Sequence, residues 1–295
     1  MTIPVITQIN CPELKLFKKG KVRSVYDFGD KLLIVASDRI SAFDFILPTG
    51  IPNKASVLTD LSKYWFSYTK DIVKNHFLTS NVDEFPEEAK QYRDILEGRS
   101  MLVKKTELIP IECVVRGYIV GSGWKEYLEK GTVCDIKLPK GLEQAAKLEA
   151  PLFTPAFKAE EGEHDENISF KRMKELVGED LSEKLSKISL DLYNKVTEYT
   201  SKRGIILADT KFEFGLLDGE VILIDECFTP DSSRFWDAST YRTGISPDSF
   251  DKQIVRDHLE NSDWNKQAPA PNLPQEIIDK ASSRYIEVKD KLIEK

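Results

Sequence analysis

The chain has 295 residues, of which 41% are hydrophobic and 31% charged, a balance typical of a soluble globular protein. Its formal net charge of −7 and the lack of a basic tail argue against nucleic acid as a partner. We expect no signal peptide and no membrane partner, because no apolar run is long enough to span a bilayer. A chain of this length can bury a substantial core and is expected to form two lobes.

Cysteine and histidine usage bears on the compartment and on metal binding. The four cysteines, at positions 11, 113, 134 and 227, are scattered without a CxxC pair and predict reduced thiols in a cytoplasmic protein. The three histidines are too dispersed in the sequence to indicate a histidine-rich metal site.

The first predicted elements are a β-hairpin and a helix. Residues 22–28 and 31–36 are β-rich runs on either side of a Gly-Asp turn. Apolar residues then recur at helical spacing over 56–72, and either Ser56 or Thr59 is a candidate N-cap.

The middle of the chain predicts two strands and a short helix. Strand-like runs at 101–104 and 111–115 flank Pro110, and their connection is a candidate hinge between lobes. A helix is expected to open at the Gly-Ser-Gly of 121–123 and to end at Gly131.

The second half combines helices with one strand hairpin. Residues 133–165 are predicted to be loop-rich, and 167–204 to form one short and one long helix. A hairpin follows at 208–226, and an amphipathic C-terminal stretch is broken at 267–274. Strands and helices do not alternate strictly, so the pattern favours α+β lobes over a doubly wound sheet.

The hairpin at 208–226 allows two registers. A three-residue loop at 217–219, with glycine last, sets Phe212 opposite Ile224 and makes one face wholly apolar. A two-residue Asp-Gly loop would oppose Phe212 with Asp225 and mix the faces. Burial therefore favours the three-residue loop.

The polar face of this hairpin gathers charged groups. In the favoured register it holds Asp209, Lys211, Glu213 and Asp225. A salt-bridged face exposed to solvent explains such a cluster, and so does a site for a cation and phosphates. The residues alone leave both interpretations open.

Two segments upstream are candidate ligand sites. Gly20, with Lys21 and Arg23 beside it, could cover a polyphosphate, although an ordinary surface hairpin also fits. The segment 37–58 crowds polar groups between apolar strands, as in a pocket for a polar small molecule or a well-capped turn. Its polar residues are Ser37, Asp38, Arg39, Ser41 and Asp44, with Lys54 in a later loop.

Further anion and loop sites are candidates downstream. Arg116 follows an apolar strand and Ser122 stands at the start of the 121–131 helix, so the two suit a terminal phosphate, or the serine is merely a cap. Arg234 precedes two aromatic residues and could present its guanidinium from an apolar base or form a structural ion pair. The acidic loop that follows Lys158 is solvated or reaches a substrate or magnesium.

Seven segments have an order and spacing that closely resemble the SAICAR synthetase family. They read GKVRSVYD, SDRISAFD, IPNKA, VVRGYIVGSGWKEY, TPAFKAEEGEHDENIS, DTKFEFG and DECFTPDSSRFWD. The resemblance runs from about Leu16 into the C-terminal region, where DKQIVRDHL stands at 251–259. Each segment alone is a weak signal, and their joint order carries the assignment. Ser24 departs from the pattern, in which aspartate is common, and this affects one local contact.

The resemblance implies an α+β fold with two lobes, related to ATP-grasp enzymes, and an ATP cleft between the lobes. A β-rich N-terminal lobe, residues 1–108, would cover the nucleotide. A larger α+β lobe, residues 109–295, would carry the substrate and metal sites and end in a helical region at about 248–295.

The implied activity is that of an ATP-dependent ligase of de novo purine biosynthesis. CAIR (carboxyaminoimidazole ribotide) would condense with L-aspartate to give SAICAR, ADP and phosphate, through an acyl phosphate. ATP is then a co-substrate, and Mg2+ with Lys and Arg side chains must neutralise the crowded anions. The protein would be a monomer or a small homo-oligomer. The alternative is a small-molecule kinase of related ATP-binding fold, which would release a phosphorylated product.

The resemblance also implies residue roles near the ATP phosphates. Glu213 and Asp225 would bind magnesium and Lys211 would contact ATP, so these three form the expected catalytic set. Lys21 and Arg23 would cover the phosphates from the other lobe.

The remaining implied contacts are to the nucleoside and to the ribotide substrate. Lys104 opens the connection whose backbone would bind the adenine edge, and Asp209 would contact the nucleotide ribose. The implied substrate-binding residues are Ser41, Asp44, Lys54, Arg116, Ser122, Lys158 and Arg234. Of these, Arg116, Ser122 and Arg234 would clamp the ribotide phosphate. His164, Asp165 and Glu166 would lie with Lys158 near the reacting groups.

Overall fold

The structure, a computed structural model, describes residues 4–43, 45–158, 166–250 and 252–293. Its strands are, in chain order, β1 (Leu16–Lys19), β2 (Arg23–Asp27), β3 (Lys31–Ala36), β4 (Arg39–Ala42), β5 (Phe45–Gly50), β6 (Phe77–Thr79), β7 (Ser100–Lys104), β8 (Glu107–Tyr118), β9 (Thr132–Val133), β10 (Ile136–Lys137), β11 (Lys147–Phe153), β12 (Ala156–Phe157), β13 (Glu166–Asn167), β14 (Ile205–Leu217), β15 (Glu220–Ile224) and β16 (Ser233–Asp237). Its helices are α1 (Lys54–Tyr68), α2 (Glu87–Lys90), α3 (Arg93–Leu96), α4 (Gly121–Lys130), α5 (Phe170–Val177), α6 (Glu179–Ser201), α7 (Gln253–Glu260) and α8 (Gln275–Ile293).

A five-stranded antiparallel sheet forms the N-terminal part, in the order β1-β2-β3-β7-β6. The predicted hairpin of β2 and β3 is confirmed, and Gly29 takes a φ of 79° in its turn. Side chains alternate across the sheet. Leu33 packs with Phe85 on one face, whereas Val25 and Ile34 face the opposite way, toward a cavity.

The helix predicted over 56–72 begins two residues earlier, at Lys54. Asn53 precedes it in the left-handed conformation, with a φ of 64°. Ser56 and Thr59, the predicted N-caps, instead donate to the carbonyls of Asn53 and Ala55, both at 2.9 Å. The cap prediction was wrong because these hydroxyls bond back into the preceding turn.

Asp38 supplies the missing cap from outside the helix. Its carboxylate accepts the amide of Ala55 at 3.0 Å, and the amide of Ile6 and the guanidinium of Arg99 at 2.8 Å. The side chain is 1% exposed. Asp38, which lies in a segment that also suited a ligand pocket, is therefore a structural residue.

The larger sheet has the order β13-β12-β8-β14-β15, with β11 paired to β8 and β16 paired to β14. Helix α6 packs on β8 and β14, and the predicted short and long helices at 167–204 are confirmed. The loop-rich prediction for 133–165 was wrong in part, because β9 to β12 lie there. The mixture of separate sheets and helices confirms the α+β class.

The β14–β15 hairpin differs by one residue from the predicted register. Its loop has two residues, Asp218 and Gly219, with φ values of 53° and 78°. Glu213 consequently pairs with Ile224. The three-residue loop was wrong because two left-handed residues form a type I′ turn, whose twist matches that of the flanking strands.

The two-residue loop places apolar and polar side chains on the same face of the hairpin. This does not expose apolar residues to water, because both faces of β14 are covered by the rest of the fold. On one face Phe212 is fully buried and packs against Phe228. On the other face Glu213 and Ile224 line the same cavity. Asp225 lies just beyond β15 with a φ of 66°, so its side chain leaves the strand alternation.

Helices α7 and α8 confirm the predicted break in the C-terminal stretch, and α8 packs on α1. In the ranges that the structure describes, no helix is both long and apolar enough to cross a bilayer. The lobe boundary after residue 108 stays a prediction, and β8 crosses that position.

Candidate active site

A cavity of 490 Å³ lies between the N-terminal sheet and the β14–β15 hairpin, and is called the first cavity below. Its apolar lining includes Val25, Leu32, Ile34, Leu108 and Ile224. Its charged lining includes Arg23, Lys158, Glu213 and Asp225. Apolar walls with a few convergent polar groups are typical of small-molecule sites, and this combination suits an aromatic base that carries phosphates.

Glu213 is 8% exposed and lies between two lysines. Lys158 donates to one carboxylate oxygen at 2.5 Å, and Lys211 donates to the other at 3.2 Å. Burial acts to raise the pKa of Glu213, but Lys211, Lys158 and Arg23 outweigh it and lower the pKa to about 2. The carboxylate is therefore ionised at neutral pH.

Asp225 forms a two-contact ion pair with Arg23, at 2.5 and 2.8 Å. Arg23 also lies 3.4 Å from Glu226. Burial acts to lower the pKa of Arg23, but Asp225, Glu226 and Glu213 raise it. The two predicted metal ligands thus share one cationic neighbour from the opposite sheet.

The lysines predicted to bind ATP lie in different settings. Lys211 donates to both Glu112 and Glu213, and these carboxylates raise its pKa despite burial. Lys104 lines the first cavity, but its backbone amide already donates to the carbonyl of His76 at 2.7 Å. Lys21 lies in an exposed bend before β2.

A second cavity, of 610 Å³, opens between the start of α4 and the start of α7. Four cationic side chains line it, Lys125, Arg234, Lys252 and Arg256, and Glu260 is the one acidic residue of its described lining. Ser41 and Ser122 are also in its wall. This excess of positive charge favours anionic ligands.

Arg116 lies behind Ser122 and is 3% exposed. Its guanidinium donates to Ser122 Oγ and to Asp209, both at 2.9 Å, and to Thr154 at 3.1 Å. Arg234 pairs with the same Asp209 carboxylate oxygen. Asp209, predicted at the nucleotide ribose, is therefore placed between the two arginines, and it is absent from the described lining of the first cavity.

Two glycines let these guanidinium groups approach the start of α4. A Cβ atom on Gly121 would lie 2.5 Å from Arg234 Nη2, and one on Gly123 would lie 3.2 Å from Arg116. Gly121 also takes a φ of 61°, which glycine tolerates best. The lack of a side chain on both glycines of the predicted Gly-Ser-Gly helix start thus makes room for the two arginines.

Lys54 is fully buried and pairs with Asp231 at 2.7 Å. The same carboxylate accepts the hydroxyl of Tyr285 at 2.8 Å and lies 3.3 Å from Lys252. Lys54 is therefore absent from the described lining of the second cavity. It is linked to that lining through Asp231, which also pairs with Lys252. Asp44 and the segment 159–165 of the acidic loop, which includes His164 and Asp165, lie outside the described residues, and Glu166 opens β13.

Comparison with known proteins decides between the open alternatives. A sequence profile described as SAICAR synthetase matches residues 16–271. The chain belongs to the SAICAR synthetase family.

The relatives of this family member match it over nearly their full lengths. A phosphoribosylaminoimidazole-succinocarboxamide synthase from Syntrophotalea carbinolica is 56% identical over 97% of this chain and 96% of its own. A SAICAR synthase from Saccharomyces cerevisiae, solved in complex with SAICAR, is 43% identical with a TM-score of 0.90 over 97% of both chains. A SAICAR synthetase solved in complex with ADP is 26% identical, with a TM-score of 0.69 over 95% of this chain and 98% of that one.

Membership of the SAICAR synthetase family confirms the activity predicted from the sequence. The chain is an ATP-dependent ligase of purine biosynthesis that joins CAIR to L-aspartate in a carbon–nitrogen bond. The comparisons give no support to the small-molecule kinase. ATP is its co-substrate.

Sequence reasoning missed His76, which lines the first cavity. The side chain is 3% exposed, and its Nε2 has no hydrogen-bond partner among the described residues. Burial lowers the pKa of His76 to about 3, so the ring is neutral. A single histidine between a helix and a short strand carries no motif, and only the fold brings its ring to the backbone of Asp225, with which the ring forms a hydrogen bond.

Proposed function

We propose that ATP binds in the first cavity and that the ligation proceeds through an acyl phosphate of CAIR. The observation that carries this is the meeting of Glu213 and Asp225 with Arg23, Lys158 and Lys211 beside an apolar wall. The apolar wall would hold the adenine, and the charged groups would hold the triphosphate. The cleft would therefore lie between the two sheets, as the relation to ATP-grasp enzymes implies.

Glu213 and Asp225 would hold magnesium. Both carboxylates are oxygen donors, which suit this ion, and Mg2+ commonly uses one or two carboxylates together with substrate phosphates. Among the described residues, no group of three or more His, Cys, Asp or Glu side chains is placed to hold a metal ion by itself. When bound, the ion would neutralise phosphate oxygens, and the carboxylates would exchange part of their pairing with Arg23 and Lys158 for it.

The cationic side chains would place the reacting anions. A carboxylate oxygen of CAIR attacks the γ-phosphorus of ATP and ADP leaves, which converts the poor leaving group into phosphate. The amine of L-aspartate then attacks the acyl carbon, phosphate departs, and the nitrogen loses its proton. Arg23, Lys158 and Lys211 would stabilise the charge that develops on the phosphoryl oxygens.

The ribotide phosphate would bind at the start of α4 in the second cavity. Ser122 and Arg234 line it, and Arg116 orients Ser122 from behind. The N-terminus of α4 adds the positive end of its helix dipole. Asp209 would hold both arginines in place. The monomer or small homo-oligomer, the cytoplasmic location and the absence of nucleic acid as a partner stay predictions.

Replacing Gly121 with alanine tests this phosphate site. The added Cβ would displace Arg234, so we expect the KM for CAIR to rise by about 10- to 100-fold, the loss of one charge-assisted contact, with a smaller change in kcat. Initial rates at varied CAIR measure this. Gly131→Ala is the matched control, since Gly131 also has a left-handed φ, 70°, but its Cβ would meet no atom within 4 Å. Equal effects of the two variants would remove Arg234 from the phosphate site.

An omission assay tests the function as a whole. Purified protein with ATP, Mg2+, CAIR and L-aspartate should release ADP and phosphate and form SAICAR, and the omission of any one component should stop product formation. A phosphorylated product formed without L-aspartate would instead indicate a kinase. Hydroxylamine trapping of an acyl phosphate in the presence of ATP and CAIR alone would support the proposed intermediate.

A further inference from the structure

His76 joins the two sheets at the first cavity. It directly precedes β6, and it belongs to the lining of the cavity. Its backbone amide donates to the carbonyl of Leu223 in β15 at 3.1 Å, and its carbonyl accepts the amide of Lys104, the last residue of β7, at 2.7 Å. The amide of Leu223 in turn donates to the carbonyl of Lys74 at 2.9 Å. One residue therefore links β15 of the larger sheet to β7 of the N-terminal sheet.

The imidazole of His76 is held by packing on its own side of the cavity. The side chain is 3% exposed, and its ring meets the ring of Phe66 in α1 edge-on, with centroids 5.4 Å apart. The neighbouring Asn75 side chain donates to the carbonyl of Phe66 at 3.0 Å and accepts the amide of Phe77 at 3.1 Å. The segment that carries His76 is thus fixed to α1, and the ring has a fixed place from which to donate a hydrogen bond.

The ring reaches the backbone of Asp225, two residues beyond Leu223. The hydrogen bond between them favours the protonated ring, so the ring donates and the Asp225 carbonyl accepts. Nε2 has no partner among the described residues, which leaves Nδ1 as the donor. Asp225 has a φ of 66°, a conformation that is unfavourable for most L-residues and persists only where the surroundings hold it. The ring of His76 is one such hold.

Asp225 is held in two different ways. Arg23 pairs with its carboxylate at 2.5 and 2.8 Å, and a bound metal ion would replace part of that pairing. The bond from His76 engages the main chain instead, so it persists when the carboxylate changes partners. This bond can therefore keep Asp225 aimed into the first cavity both before and after a metal ion binds.

We propose that His76 is a positioning residue for the ligation: its Nδ1 fixes the main chain of Asp225 and thereby aims the Asp225 carboxylate at the magnesium site. The inference rests on the proposed function, in which Asp225 holds magnesium. Because His76 also bonds Lys104, it fixes the metal ligand relative to the connection that would bind the adenine. Groups that orient a metal ligand from behind contribute about 10- to 100-fold to metal affinity or activity.

His76→Phe tests the proposal, because phenylalanine keeps a ring to pack on Phe66 and removes both nitrogens. The Mg2+ concentration for half-maximal activity should rise by about 10- to 100-fold. Titration calorimetry supplies a measurement without turnover. The gain in ADP affinity that Mg2+ gives the wild type should be lost, while the Kd of ADP in EDTA stays within about twofold, since the cavity wall is intact.

His76→Asn and His76→Gln separate the two nitrogens. The amide nitrogen of asparagine lies about where Nδ1 lies, and that of glutamine about where Nε2 lies. Asparagine should therefore restore the Mg2+ requirement to within about threefold of the wild type, and glutamine should not. Restoration by glutamine alone would place the role at Nε2 and overturn the proposal. This pair decides the matter independently of whether His76→Phe folds, which urea unfolding shows.

A double variant separates positioning from a general loss of structure. Since His76 acts through Asp225, adding His76→Phe to Asp225→Asn should lower kcat by no more than about a further twofold. Losses that multiply in the double variant would overturn the proposal. An unchanged Mg2+ requirement in His76→Phe would overturn it as well.

His258→Phe is the matched control, because His258 lies on α7 and is absent from the described lining of both cavities. Its kinetics and its Mg2+ requirement should equal those of the wild type. A wild-type protein that forms no SAICAR, or that binds ADP equally well with and without Mg2+, would instead overturn the proposed function.

Discussion

Asp225→Asn should lower kcat by about 100- to 1,000-fold, as expected for loss of one charged group that acts on the transferring phosphoryl. Asparagine preserves the size of the side chain and tolerates the left-handed backbone at a φ of 66°. The fold should therefore persist, because asparagine can still accept a hydrogen bond from Arg23, which also keeps the Glu226 carboxylate 3.4 Å away. Steady-state kinetics at saturating substrates, together with urea unfolding, measure both effects.

Asp218→Asn is the matched control for this variant. Asp218 is also left-handed, with a φ of 53°, but it lies in the β14–β15 turn outside the first cavity. Its activity should equal that of the wild type. Glu213→Gln should reproduce the loss seen with Asp225→Asn, since Glu213 is ionised in the same cluster. Full activity in either cavity variant would contradict the metal assignment.

Asp231→Asn should lower the free energy of unfolding by about 3–5 kcal/mol, because it leaves the fully buried Lys54 without a counter-charge. Lys252 would lose the same partner. Chemical denaturation at pH 7 measures the effect. Glu198→Gln, which breaks an exposed pair between α6 and Lys202 just beyond it, should change the free energy of unfolding by no more than about 1 kcal/mol.

The carboxylate of Asp231 should also make the stability of the fold depend on pH. Burial acts to raise the pKa of Asp231, but Lys252 and Lys54 outweigh it and hold the folded-state pKa below its ordinary value of 3.8. The folded state then binds fewer protons than the unfolded one, so this stabilisation is present above about pH 4 and is lost as the pH falls. The stability of Asp231→Asn should decline less steeply with acid than that of the wild type. Parallel acid limbs would show that Asp231 is not ionised in the fold.

Periodicity predicted most helices and strands but not the register of the key hairpin. The register prediction treated β14 as one strand of an isolated hairpin with a core face and a solvent face. In the fold β14 also pairs with β8, and the cavity face needs an apolar residue beside Glu213, which Ile224 supplies. The left-handed conformations of Asp218 and Gly219 set the register of the hairpin. Residues distant in sequence then bury the side chains on both faces of β14.

The candidate site was predictable as a set of residue types but not as a set of partners. Arg116 and Asp209 are 93 positions apart, and Lys54 and Asp231 are 177 apart. No local pattern could show that Asp209 holds arginines or that Lys54 is buried in an ion pair. The His76 ring meets the backbone of Asp225 for the same reason, because the two residues are far apart in the sequence. The side chain of Asp225 leaves the strand alternation because this residue, just beyond β15, is left-handed.

A crystal structure with Mg2+ and a non-hydrolysable ATP analogue tests the central claim most directly. The triphosphate should lie in the first cavity, with the metal bound by Glu213 and Asp225 oxygens at about 2.0–2.1 Å, the distance Mg2+ prefers. A triphosphate outside this cavity, with Asp225 still paired to Arg23 and Glu213 still paired to Lys158, would contradict it.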